Sequence, residues 1–208
     1  VGLFMKYIDP GSTVWVPLLL GVLVTAAIAL PIGWVQVRTG GFAFALLTIA
    51  FGMMLYTVVW KARNITGGDD GLIGIPAPKV TLAGWVLGST ADPKTIYYFT
   101  LVVVLLCFLL AWRIMRSPLG AVLESIRENE ELAKSVGINS YMYLVLTFGI
   151  AAALTSLAGS LYAHYLTVVN PYLFGTYYLL GMIIMVIVGG KGTLGGPILG
   201  AFIFSFVI

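Results

Sequence analysis

The stretch GGKGTLGGP, residues 189–197, is the chain's obvious candidate for chemistry on a phosphate, because glycine amides and a lysine are what a nucleotide loop supplies. Its spacing fails that test. Gly192 follows Gly190-Lys191 where a Ser or Thr must reach magnesium, and Met185 stands five positions before Gly190 where the first glycine belongs. Any ATP hydrolysis linked to this chain therefore belongs on another chain. Other catalytic or metal-binding constellations are equally hard to seat. Cys107 and His164 are the only residues of their types and fall in different apolar runs, and all four glutamates lie between residues 124 and 131. A polar partner or the membrane interface accounts for His164 better than catalysis does. Asp69-Asp70 are too few for a calcium loop.

The elements that carry these residues are set by composition. Of 208 residues, 60% are hydrophobic and 9% charged, with a mean hydropathy of +1.04, against about 25% charged in soluble domains. This is the composition of an all-α integral membrane protein, a polytopic helix bundle in the lipid bilayer. A net charge of +3 scattered over short loops makes no basic stripe, which excludes nucleic acid as a partner. About 20 apolar residues cross a bilayer, so the uncharged stretches predict spans near 14–35, 42–60 and 96–112. The uncharged run 135–190 divides at Asn170-Pro171 into spans at 141–166 and 172–188. A sixth begins at Pro197 and has only 12 residues, and the chain opens on Val1, so both ends read as truncated. No Asp, Glu, Lys or Arg falls inside the five complete spans, which argues against an ion-coupled secondary transporter. Alternating the spans puts six Lys/Arg, in the shorter total length of loop, with residues 113–134 and five with the loop 61–94. The positive-inside rule then makes 61–94 external and the segment around 117–137 cytoplasmic.

That cytoplasmic segment, SPLGAVLESIRENEELAKSVGIN at residues 117–139, holds six of the nineteen charged residues. Ser117 reads as an N-cap, Pro118 as the first helical residue and Gly137 as the left-handed stop, predicting one helix of about five turns. Leu119, Val122, Leu123, Ile126 and Ala133 share one face, and Glu124, Arg127, Glu128, Glu131 and Lys134 the other. Expected pairs are Arg127 with Glu131 and Glu130 with Lys134, each contributing about 0.2–0.5 kcal/mol. A helix lying at the headgroups is one reading. Its balanced charge and lack of Trp or Phe favour a docking surface for a soluble partner.

This segment, followed by AGSLYAHYL, NPYLF and VIVGGKGTLGGPILGA, and preceded by GGDDGLIGIP, resembles the LivM-type permease subunit of branched-chain amino-acid ABC importers. The likeness runs over nearly the whole chain. It implies a permease without a nucleotide site or cofactor of its own, in a bacterial or archaeal cytoplasmic membrane, serving leucine, isoleucine and valine. It also implies partners: two ABC ATPases carrying ATP and Mg, a second, LivH-like permease, and a periplasmic or extracellular substrate-binding protein. Residues 117–137 would be the coupling helix, with Ser117, Pro118, Gly120, Glu124, Arg127, Glu128, Asn129 and Glu131 facing the ATPases. Related permeases carry urea, other amino acids or amides, and a channel or scaffold subunit is the other class of reading.

Two further regions remain open between structural and functional readings. Gly189, Gly190, Gly192, Gly195 and Gly196 form either a tight turn between spans or a border of the translocation path, and bulk there should be poorly tolerated. In the loop, Gly68, Asp70, Gly71 and Pro76 are candidates for an external gate. Leu72, Ile73, Ile75 and Trp85 are apolar enough to fold the loop back onto the membrane mouth. Small residues in 141–166 (Gly149, Ala152, Ala153, Ser156, Gly159, Ser160) predict close helix packing.

Overall fold

The computed structural model describes residues 1–7, 13–76, 78–82, 85–190 and 192–207, leaving Lys191 and the side chain of Trp85 outside the account. Helices dominate. A short α1 (Gly2–Tyr7) precedes α2 (Trp15–Gln36) and α3 (Gly41–Lys61), and α5 (Pro93–Met115) and α8 (Ser140–Leu166) are the other long apolar helices. These four, 21 to 27 residues each, are long and apolar enough to cross a membrane. Their bounds lie within three residues of the predicted spans. α9 (Thr176–Gly189) and α10 (Gly196–Val207) are shorter, at 14 and 12 residues. The expected break falls where proline puts it: Asn170 Oδ1 accepts the Tyr172 amide at 3.0 Å, and a 3-10 turn, Pro171–Phe174, separates α8 from α9.

Packing follows the small residues. α2 lies along α8, where a Cβ on Gly21 would come 3.2 Å from Ser160 Oγ and 3.5 Å from Ser156 Oγ. At the other end Gly33 receives the Phe148 ring, and Gly149 sits against Leu30. Lipid tails are as apolar as leucine, so close backbone approach rather than hydrophobic exclusion holds such helices together. The close packing expected of the small-residue row is found at Gly149, Ser156 and Ser160, while a Cβ on Gly159 would meet nothing within 4 Å. Consistent with a lipid-facing surface, α3 buries none of its residues. His164, by contrast, is fully buried, and neither ring nitrogen has a hydrogen-bond partner among the described residues, so the expected polar partner is not found there.

The loop after α3 is more structured than a solvated linker. It contains α4 (Arg63–Thr66), a 3-10 turn at Gly68–Asp70, β1 (Leu72–Ile73) and a hairpin of β2 (Lys79–Leu82) and β3 (Trp85–Ser89). β1 pairs antiparallel with β4 (Val168–Val169), Leu72 opposite Val169, and the Ile75 amide donates to Thr167 O at 3.1 Å. Leu72 and Ile75 are buried with Met5 and Ala163. Val80 joins Val14, Leu18, Phe99, Val103 and Leu161 in a second core. The loop folds back onto the helix ends through Leu72 and Ile75, as expected, whereas Ile73 stays exposed and the side chain of Trp85 lies outside the described residues.

Candidate coupling surface and glycine turn

At the opposite end of α5 the chain turns sharply into α6 (Pro118–Glu128) and α7 (Glu130–Ser135). Gly120 makes this turn possible: a Cβ there would collide with the carbonyl of Met115 and come within 2.7 Å of that of Ile114. Pro118 takes the first helical position, as expected. Ser117 has the extended backbone of a cap, yet its hydroxyl donates back to Ile114 O at 2.6 Å and does not cap α6. The sequence reading of Ser117 as a side-chain cap is therefore corrected. With Pro118 at the first position one orphan donor is already gone, and the hydroxyl joins the Ser117 amide on the Ile114 carbonyl at the end of α5.

The single five-turn helix is also corrected. Asn129 is extended (φ −155°, ψ 102°), and its side chain accepts the Leu132 amide at 3.0 Å, which ends α6 and caps α7. Asparagine competes well for backbone donors at such a break. Because the helix is interrupted, Arg127 and Glu131 do not pair. Arg127 instead meets Glu124 at 3.3 Å, while Lys134 meets Glu130 at 2.8 Å as expected. Both pairs are exposed; the hydrogen bond to Glu130 raises the pKa of Lys134. At the far end Gly137, at φ +88°, donates to Lys134 O and Ile138 to Ala133 O, a Schellman stop.

The division of faces survives the break. Ile126 and Ala133 are buried and Leu119, Val122 and Leu123 half-buried, whereas Glu124, Arg127, Glu128, Asn129, Glu131 and Lys134 are exposed. Two exposed apolar residues were not anticipated: Leu132 on α7 and Val136, the residue that follows α7, are 65% and 72% exposed. Their four-residue spacing was the available signal.

The glycine turn is a junction between α9 and α10. A Cβ on Gly189 would overlap the Gly196 carbonyl, and one on Gly196 the Gly190 carbonyl, so these two glycines let the helix ends touch. Gly190 and Gly192 hold φ of +98° and +96°, which side chains with a Cβ rarely adopt. Thr193 Oγ1 closes the turn, donating to Gly190 O and accepting from the Gly196 amide, both at 3.1 Å. Gly195 has open space around it and makes no such demand. The turn also meets the charged segment: a Cβ on Gly192 would lie 3.1 Å from Arg127 Nη1. Two stretches singled out separately in the sequence are thus neighbours in space.

In the loop after α3, Gly71 (φ +74°) lies so close to Val169 O that a Cβ would overlap it, and Gly68 sits against the Arg63 side chain. Asp70 is exposed and Pro76 half-buried. The carboxylate that makes specific contacts is Asp69, accepting from Trp60 Nε1 at 3.3 Å and from Tyr172 Oη at 3.1 Å. Among the described residues no group of three or more His, Cys, Asp or Glu could hold a metal.

A family model described as branched-chain amino acid transport system / permease component matches residues 1–208, and the chain belongs to that family. Among individual relatives, it is 29% identical over 209 residues to the high-affinity branched-chain amino acid transport system permease protein LivM of Salmonella typhimurium, covering 92% of this chain and 49% of LivM. It is 27% identical to the LivH permease protein of the same organism, covering 98% of this chain and 67% of LivH. It is also 29% identical over 177 residues to the ribose import permease protein RbsC of Haemophilus influenzae, covering 82% of this chain and 51% of RbsC. The chain thus spans about half the length of the LivM protein it matches. No solved structure matches it.

Proposed function

We propose that this chain is part of a permease of an ATP-driven importer for branched-chain amino acids, with α6–α7 as the surface that receives the ATPases. The observation that carries the reading is the meeting of Arg127 with the Gly192 turn. A partner pressing on the charged face of α6–α7 would bear directly on the α9–α10 junction, and so on any path that junction borders. Exposed Leu132 and Val136 offer apolar contact within a charged field, the mix of anchor and steering groups that protein interfaces use. The likeness to both LivM and LivH supports a paired permease. The proposal includes a substrate-binding protein that delivers the amino acid from the other side of a bacterial or archaeal cytoplasmic membrane. In this reading hydrolysis of Mg-ATP takes place on the partner ATPases.

Reconstitution of the full-length protein with its neighbouring ATPases, second permease and binding protein tests the proposal. Leucine uptake that requires both ATP and the binding protein is the expected result. Uptake without either would make the protein a channel. The RbsC likeness puts ribose, beside amino acids, amides and urea, on the competition panel. Inhibition of leucine uptake by isoleucine and valine, and not by ribose, is expected.

A further inference from the structure

We propose that the cleft between the α2–α3 turn, α7 and the first turns of α8 binds an anionic phospholipid. The cleft has a volume of about 750 Å³ and is polar at one end and apolar at the other. At the polar end stands Arg38, whose Nε donates to Tyr141 Oη at 3.2 Å and whose guanidinium carbon lies 3.9 Å from the centre of the Trp34 ring. Aromatic faces orient this cation without neutralising it, and no carboxylate pairs with it among the described residues. Lys134 adds a second cation, shared with Glu130, so the rim keeps one net positive charge.

Backbone adds to that field. Gly40, at φ +60°, precedes α3 and offers no side chain to cap it, so the first-turn amides of a 21-residue helix open at the same rim. A Cβ on Gly40 or Gly41 would meet nothing within 4 Å, which leaves room for a headgroup beside them. The location is also right for one. Arg38 comes two residues after the 22-residue apolar α2, and Trp34 and Tyr141 are the amphipathic aromatics that sit at the membrane–water boundary.

Apolar walls decide between a lipid and a soluble anion. Leu144, Phe148 and Ala151 continue the cleft from Tyr141 along α8, a depth of about 15 Å at 1.5 Å per residue, and α3 adds Phe44 to the lining. A free phosphate would leave these walls uncovered; an acyl chain covers them while its phosphate meets Arg38. Basic pockets between helices at the membrane surface recognise anionic headgroups in this way.

The test is lipid retention by the full-length protein, measured by native mass spectrometry after equilibration with equal amounts of phosphatidylglycerol and phosphatidylcholine. Preferential retention of phosphatidylglycerol is expected, falling about fivefold in Arg38→Gln and preserved in Arg38→Lys. Ala151→Phe fills the apolar end, leaves every charge in place, and should lower phosphatidylglycerol retention. Equal retention of the two lipids by the unaltered protein would overturn the proposal. So would full competition by glycerol phosphate combined with an inert Ala151→Phe, which would assign the cleft to soluble anions. Neither ATP nor a partner protein enters this measurement, so its outcome is independent of the importer reading.

Discussion

The loop at residues 62–92 and the α6–α7 segment lie at opposite ends of α5 and solve opposite problems. The loop turns inward. Its apolar residues Leu72 and Ile75 are buried, its backbone pairs with β4, and Asp69 is held by Trp60 and Tyr172. The α6–α7 segment turns outward: its apolar stripe rests on the bundle while Glu128 and Glu131 stay exposed and without ion pairs among the described residues. A charged segment with nothing to meet could have closed in the same way as the 62–92 loop. The contrast is between a loop that covers helix ends and a segment whose charged face stays open, and it supports the proposal that α6–α7 receives a partner.

Two glycines give the largest expected effects, one in each region. Gly71→Val places a branched side chain at φ +74° and against Val169 O, and should cost about 3 kcal/mol or more by parting β1 from β4. Gly120→Val drives α6 off the end of α5 by collision with the Met115 carbonyl, with a similar cost. Thermal unfolding of the full-length protein in detergent checks both. Equal melting temperatures for either variant and the parent would mean that region does not depend on close approach. An effect of intermediate size comes from Asn129→Ala, which removes the α7 cap and should lower stability by about 1 kcal/mol. If α6 and α7 instead fuse into one helix, helicity by circular dichroism will rise.

The smallest effect is at Tyr172, where the hydrogen bond to Asp69 raises the phenol above its ordinary pKa of 10.0. A raised folded value means that the contact contributes fully below pH 10 and is lost as the pH climbs through the raised value. Tyr172→Phe should therefore lower the melting temperature slightly at pH 8 and not at all once the phenol has ionised. A difference that persists unchanged at the higher pH would assign the effect to packing with Tyr56.

Much of this architecture was legible because lipid imposes a simple rule: uncharged runs become helices, and their ends lie where charge, glycine or proline begins. The two faces of residues 118–135 were legible for the same reason, since helical periodicity continues across the Asn129 break. What could not be read was competition between side chain and backbone. Whether Ser117 caps forward or bonds backward depends on a carbonyl three residues away at the end of α5, and whether Asn129 interrupts a helix depends on a bond worth about 1 kcal/mol. Nor does spacing show that Arg127 meets Gly192, because the two are brought together by packing of separate elements. The glycines of the α9–α10 turn looked alike in sequence, yet only the backbone distinguishes the tightly placed Gly189 and Gly196 from the open Gly195.

The central claim is that α6–α7 is a docking surface, and charge reversal at Arg127 and Glu128 tests it most directly. Recovery of the ATPase subunits with purified full-length permease, and ATP hydrolysis stimulated by the binding protein, should be measured for Arg127→Glu and Glu128→Lys. Charges desolvated at an interface cost about 2–5 kcal/mol when a partner is lost, against tenths for solvated ones. Loss of both recovery and stimulation is expected while the variants still insert into the membrane. Unchanged recovery and unchanged stimulation in both variants would contradict it, and would leave α6–α7 as a solvated amphipathic face.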